Sequence, residues 1–289
     1  MVRTDHHGDG GGETYLRFSA QATSTAPETL FGELSGLDAH DHWAVPRRLR
    51  EIIACRDVVA GDLGGLIRKE KHLLVYLLLA ARPELRSVLE LGSSLFEMID
   101  GLEGARRALS ESGIDDVAID RLAFHGIEIS PFLRRLAVEL HPGHDIQHHA
   151  DATTAVACDL LYDRVVSSLA FETTTELAAL VNRSQVALLN LYLSCGDTFV
   201  SSWAGKPLTY FSLDDTVAQL DRPLFYLFGR KSPGPDLSHG QRVVEAFFLC
   251  ATDDVAADFL ALATKDPQVA AYFTEKDIVA TPALELLTT

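Results

Sequence analysis

The sequence predicts an α/β fold, a mostly parallel seven-stranded sheet flanked by helices, and three observations carry that prediction. The apolar run Ser87-Val88-Leu89-Glu90-Leu91 ends in an acid and then Gly92-Ser93-Ser94, the pattern of a buried strand feeding a loop. A second short run, Ala123-Phe124-His125-Gly126-Ile127-Glu128, also closes in a carboxylate, and Ser130-Pro131 behind it suits a helix start. Beyond Leu85, strand-like and helix-like segments alternate as βαβ units do.

Taken in order, residues 1–42 are rich in Gly, Thr, Ser, Asp and His without a sustained period, and are expected to form a flexible arm. Residues 43–84 read as a helical cap. Pro46 suits a first helical turn, Leu49, Ile52, Ile53 and Val59 recur at helical spacing, and 66–79 reads as a second, more buried helix. Residues 85–235 form the sheet domain, with strands expected at Ser87–Leu91, 123–129, Asp145–His149, 164–170, Val186–Ser194, 208–211 and 223–228. Helices are expected between them at 95–112, 131–140, 173–183 and 213–220. Residues 236–289 read as a C-terminal helical extension, with helix over 242–273, after the breaker-rich loop Lys231-Ser232-Pro233-Gly234-Pro235.

Composition narrows the function. With 47% hydrophobic residues and a mean hydropathy of +0.09 over 289 residues, the chain has material for a large core. A formal charge of -16 repels a phosphate backbone, so nucleic acid is a poor partner. The longest apolar stretches, such as 73–81 and 186–193, fall well short of the roughly 20 residues needed to cross a bilayer. The amino terminus has His and Gly where a secretory signal needs a basic start and an apolar stretch, so a cytoplasmic location is expected. Cys55, Cys158, Cys195 and Cys250 form no CxxC pair and read as ordinary buried thiols.

The order and contents of residues 85–230 resemble the class I S-adenosylmethionine-dependent methyltransferases, a Rossmann-like fold. The resemblance implies S-adenosyl-L-methionine as cofactor. It gives Glu90, Gly92 and Ser93 the methionine part, Glu128 both ribose hydroxyls, and Asp151 the adenine amino group. It also places Ser167, in the segment Tyr162-Asp163-Arg164-Val165-Val166-Ser167, where the family presents residues to cofactor and substrate. One departure stands out: the family's closely spaced glycines are replaced by Ser93, Ser94, Leu95, Phe96 and Glu97, and the next glycine is Gly101. Side chains there are expected to narrow the space for the methionine moiety, and Glu97 to stand beside its carboxylate or meet its ammonium.

For the chemistry itself, Glu172, just past the fourth strand, is the candidate acid or base, or else simply a charge favoured at a helix amino terminus. Tyr210 is a second catalytic candidate or a core aromatic. Asn182 and Arg183 could hold a substrate anion, or cap a helix. The cluster His141, His144, His148 and His149 lacks a recognised metal spacing, and the last two point to opposite faces of a strand, so no metal is expected. His6, His7, His40 and His42 read as solvated, or as contacts to a ligand under the cap.

The function this predicts is a methyltransferase acting on a small metabolite of specialised metabolism, with the cap as a lid. One alternative is a cyclase on the same fold that closes an azetidine or aziridine ring by internal displacement, a reading motivated by the altered loop. Another is a noncatalytic homologue that binds a partner subunit. Either a homo-oligomer or a hetero-subunit is compatible with the sequence.

Overall fold

A computed structural model describes residues 65–283 except 94–95, 112, 129–133, 135–136, 139–140, 150, 153–154, 164–166, 195, 204–205, 233–242 and 276–277. The expected arm, the first cap helix, Cys55, Cys195 and the histidines before residue 65 lie outside the described residues; of the expected helix at 131–140 only residues 134, 137 and 138 are described, and they are helical.

Helix α1, Gly65–Ala81, precedes strand β1, Ser87–Leu91, and helix α2, Glu97–Ala108, follows it. Next come β2, Ala123–Ile127, β3, Asp145–His149, β4, Leu160–Asp163, α3, Ser167–Ala170, α4, Thr174–Val181, and β5, Val186–Ser194. A hairpin of β6, Phe199–Trp203, and β7, Lys206–Ser212, leads to α5, Leu213–Gln219, and β8, Leu224–Ser232. The chain closes with β9, Val243–Cys250, α6, Asp253–Ala261, α7, Pro267–Glu275, and β10, Thr281–Pro282.

The sheet order is β10-β8-β9-β5-β4-β1-β2-β3. Strands β3, β2, β1, β4 and β5 are mutually parallel, while β9 is antiparallel to both β5 and β8. The parallel half has the doubly wound, Rossmann-like order. Alternation along each strand divides the core into two layers. Val88, Phe124, Leu160, Val186, Leu188, Phe247 and Leu249 face α1, α2, α6 and α7, whereas Leu89, Leu91, Leu161, Leu189, Leu191 and Phe248 face α4 and α5. Helix α1 approaches α2 closely because Gly101 leaves room for His72: a Cβ at 101 would lie 2.6 Å from the His72 Cβ.

Strands β1, β3 and β5 have the expected limits, and three expectations are corrected. The fourth strand is Leu160–Asp163, not 164–170, and residues 167–170 are helical. Burial decides this: Leu160, Leu161 and Tyr162 pair with both β1 and β5 at the centre of the sheet, which outweighs the β-branched composition that follows. Residues 243–250 form a strand, not a helix, because the run is apolar on both faces and has no period that separates the two structures. Strands β6 and β10 are likewise outside the expectation, so the sheet has ten strands where seven are expected.

The amino edge of the sheet is tied by one side chain. The Asp159 carboxylate accepts from the Arg86 N–H at 2.7 Å, the Ser87 N–H at 3.0 Å, the Ser87 hydroxyl at 3.1 Å and the Gln185 amide at 2.6 Å. These bonds join the starts of β1, β4 and β5. Cys158 and Cys250 are free, buried thiols, and burial pushes Cys158 up to about 11.

Candidate functional site

The strand order reverses between β1 and β4, and in open α/β sheets the crevice at the carboxyl ends of such strands is where ligands lie. On the β1 side, Glu90 is fully buried, in register between Gly126 of β2 and Tyr162 of β4. The chain then turns at Gly92, whose φ of 66° only glycine adopts at no cost. The N–H groups of Gly92 and Ser93 both donate to the Ile127 carbonyl, at 2.9 and 3.3 Å, which fastens the loop to β2.

The loop's altered side chains go somewhere specific. Ser93 and Phe96 are both fully buried, and a Cβ on Gly126 would lie 2.6 Å from the Phe96 Cζ and 2.7 Å from the Ser93 Cβ. Phe96 also packs edge-on to Phe124, with centroids 6.3 Å apart, and against His148 at 5.3 Å. These two side chains therefore turn into the core over Gly126, next to the last residue of β2. The Glu97 side chain and residues 94–95 lie outside what is described.

At the ends of β2 and β3, Glu128 is half-buried and its N–H donates to the His149 carbonyl at 3.2 Å. Asp151, half-buried, lies in the turn just after β3. The alternation of β3 separates its last two histidines: His148 faces Phe96 on one side, and His149 stacks with His125 on the other. The His125 Nδ1 and His149 Nε2 are 3.3 Å apart. Burial lowers the His125 pKa, with the nearby His149 adding to the effect, and burial with the Arg134 charge lowers His148 to about 4. Among the described residues no group of three or more His, Cys, Asp and Glu is placed to hold a metal ion.

On the β4 side, Asp163 is fully buried at the strand's end and accepts from the Asn190 N–H at 3.3 Å. One step further, the Ser168 hydroxyl accepts from the Tyr192 N–H at 3.2 Å. Two side chains thus continue the ladder of β5 past the end of β4. Ser167 opens α3 beside them, its side chain outside the described set. Glu172 is exposed just before Thr173, the N-cap of α4. There the Thr173 hydroxyl accepts from the Glu176 N–H at 3.2 Å, while the Glu176 carboxylate takes the Glu172 N–H at 3.1 Å, a variant of the capping box. Tyr210 is buried in β7, stacked on Phe199 at 4.7 Å and edge-on to Tyr192 at 5.6 Å.

Asn182 and Arg183 are not brought to this edge. They follow α4 and precede β5, at the amino edge of the sheet, where Arg183 donates to the carbonyls of Ala152 and Ala155 at 3.3 and 3.4 Å. The Asn182 amide donates to the Gln219 carbonyl at 3.0 Å and accepts from the Asp221 N–H at 3.2 Å. The structure adds Asp163, Ser168 and the His125–His149 pair to the carboxyl edge. Asp163 had a visible signal, an apolar run closing in an acid as at Glu90, but it was obscured by placing the strand too late.

No protein-family model and no curated protein matches the chain. Solved structures similar to it include S-adenosylmethionine-dependent methyltransferases. The N-terminal domain of EvdMO1 with SAH bound shares 13% identity at a TM-score of 0.43, covering 64% of this chain and 81% of that one. The sugar N-methyltransferase KedS8 from Streptoalloteichus sp ATCC 53650 shares 16% at 0.42, covering 63% and 86%. The 1,6-didemethyltoxoflavin-N1-methyltransferase of Burkholderia thailandensis shares 13% at 0.39, covering 75% and 92%.

Proposed function

We propose that this chain is an S-adenosylmethionine-dependent methyltransferase acting on a small metabolite. The observation that carries the reading is the reversal of strand order between β1 and β4, where the buried carboxylates of Glu90 and Asp163 lie near the strand ends, with Glu128 and Asp151 following the next two strands. Acids closing successive parallel strands suit a ligand with several hydroxyl and amino donors, which a nucleoside bearing an amino-acid tail provides.

The residues fit such a ligand. Gly92 makes a tight turn, and the buried Ser93 and Phe96 side chains lie against Gly126, which favours approach of loop backbone to the amino-acid end. In this reading Glu128 accepts from the ribose hydroxyls and Asp151 from the adenine amino group, while Glu90, Gly92, Ser93 and Ser167 border the remainder. When bound, the cofactor supplies an electrophilic methyl group on a sulfonium. The chain's own task is then alignment and exclusion of water, with Glu172 taking the proton that the acceptor releases and Tyr210 bordering the acceptor. Asn182 and Arg183 have no part in this arrangement. The ring-closing alternative drew its motive from loop side chains crowding the pocket, and the two that are described turn into the core.

Calorimetric titration with S-adenosylmethionine and S-adenosylhomocysteine tests the reading. Both are expected to bind. Conversion in the presence of an acceptor is expected to release S-adenosylhomocysteine, and release of methylthioadenosine would favour ring closure. Absence of binding by both compounds overturns the nucleoside site.

A further inference from the structure

We propose that Phe96, seated over Gly126, is a positioning residue that sets the path of the loop after β1 and thereby the affinity for the amino-acid end of the nucleoside ligand. This inference rests on the nucleoside reading above.

Phe96 has φ 55° and ψ 44°, a left-handed conformation that a bulky residue holds only at a cost of order 1–3 kcal/mol. Something must hold it there. It is the N-cap of α2 with no side-chain cap bond, so capping does not explain the conformation. The ring explains it: it is fully buried between Phe124 and His148, and reaches the one position of β2 that carries no side chain. Gly126 is paired with Glu90 on β1, so the notch lies beside the buried acid of the candidate site. The Phe96 N–H donates to the Ser93 carbonyl at 2.7 Å, and the Ser93 N–H donates to the Ile127 carbonyl at 3.3 Å. Ring, notch and backbone bonds together hold Gly92, Ser93 and Phe96 against β2. A large side chain in the loop and a glycine 30 positions later are therefore one unit, in which Phe96 supplies the anchoring that the altered glycine pattern no longer does.

Gly126→Ala tests this, because the added methyl displaces both Phe96 and Ser93. The variant, Phe96→Leu, the double variant and the wild type would each be titrated with S-adenosylhomocysteine and with methylthioadenosine, which lacks the amino-acid tail, and their Tm values recorded. Gly126→Ala is expected to weaken S-adenosylhomocysteine by about tenfold and methylthioadenosine by less than about threefold, and Phe96→Leu, which relieves the contact with the ring but not that with Ser93, to restore part of the loss in the double variant. Should Gly126→Ala not fold, Phe96→Leu alone is expected to show the same preference for the tailless ligand. Equal losses for the two ligands, or a fall in Tm without a difference between them, overturn the role of Phe96 while leaving the nucleoside reading intact. Failure of the wild type to bind either ligand overturns that reading and this inference with it.

Discussion

The two edges of one sheet are built on opposite principles. At the amino edge, polar side chains are spent on the protein's own backbone: Asp159 takes donors at the starts of β1 and β5, Arg183 holds the Ala152 and Ala155 carbonyls, and Arg222 donates to the Val181 carbonyl at 2.9 Å. At the carboxyl edge, acids close the strands, a loop turns through left-handed residues, and the ladder of β5 is finished by side chains instead of a strand. The first arrangement secures the fold. The second leaves acidic groups at the ends of several neighbouring strands. Reading the residue type alone would not separate the two, since Arg183 and Glu128 are equally polar on paper.

That contrast can be broken most forcefully at Asp159. Asp159→Ala removes the shared acceptor of four donors and is expected to cost about 3 kcal/mol of stability in denaturant unfolding, with S-adenosylhomocysteine affinity within about twofold of wild type once folded. A large loss of affinity in the folded variant would mean that the edges are coupled. Glu128→Ala is the converse case: nucleoside binding is expected to weaken by about 1.5–3 kcal/mol by calorimetry, with the unfolding midpoint unmoved. Unchanged affinity would remove Glu128 from the site. Arg183→Ala should lower stability by about 1 kcal/mol through its two carbonyl bonds and leave turnover alone. A rise in KM confined to anionic acceptors would instead return Arg183 to substrate binding.

A further effect is confined to the acid range. His148 is held neutral by burial, with a folded pKa of about 4 against 6.5 for the solvated, unfolded side chain, so between those values the unfolded chain binds more protons. Stability is then complete above pH 6.5 and declines as pH falls toward 4. His148→Phe keeps the aromatic contact with Phe96 and is expected to flatten that slope in unfolding curves collected across the interval. A slope that survives unchanged would assign the acid sensitivity to other groups, the buried His125 among them.

Much of this architecture is legible in the sequence, for identifiable reasons. Strands β1, β3 and β5 are short runs bounded by breakers or charges, and Glu90 and Gly92 follow from an apolar run closing in an acid and a glycine. β9 is not legible, because Val243-Val244-Glu245-Ala246-Phe247-Phe248-Leu249-Cys250 shows no alternation, its residues from Ala246 to Cys250 being buried toward both layers. β4 was displaced because Val165 and Val166 attract a strand assignment that burial gives to the preceding leucines. The pairing of Phe96 with Gly126, or of His125 with His149, could not be read, since each joins residues that only the strand register brings together. The same holds for Arg183, whose role depends on which end of a strand it precedes.

The hairpin β6–β7 carries a consequence of a different kind. Leu208 and Tyr210 form a small core of their own, completed by Tyr192 and Phe199 and separate from the two main layers. Phe211 anchors the end of β7 in the layer under α4 and α5, and the part of the hairpin beyond it, with its own apolar cluster, can open without the rest unfolding. Its amides should exchange with solvent deuterium together and well before those of β1 or β4. If the hairpin borders the acceptor, the frequency of that opening sets an upper limit on how fast acceptors enter and products leave.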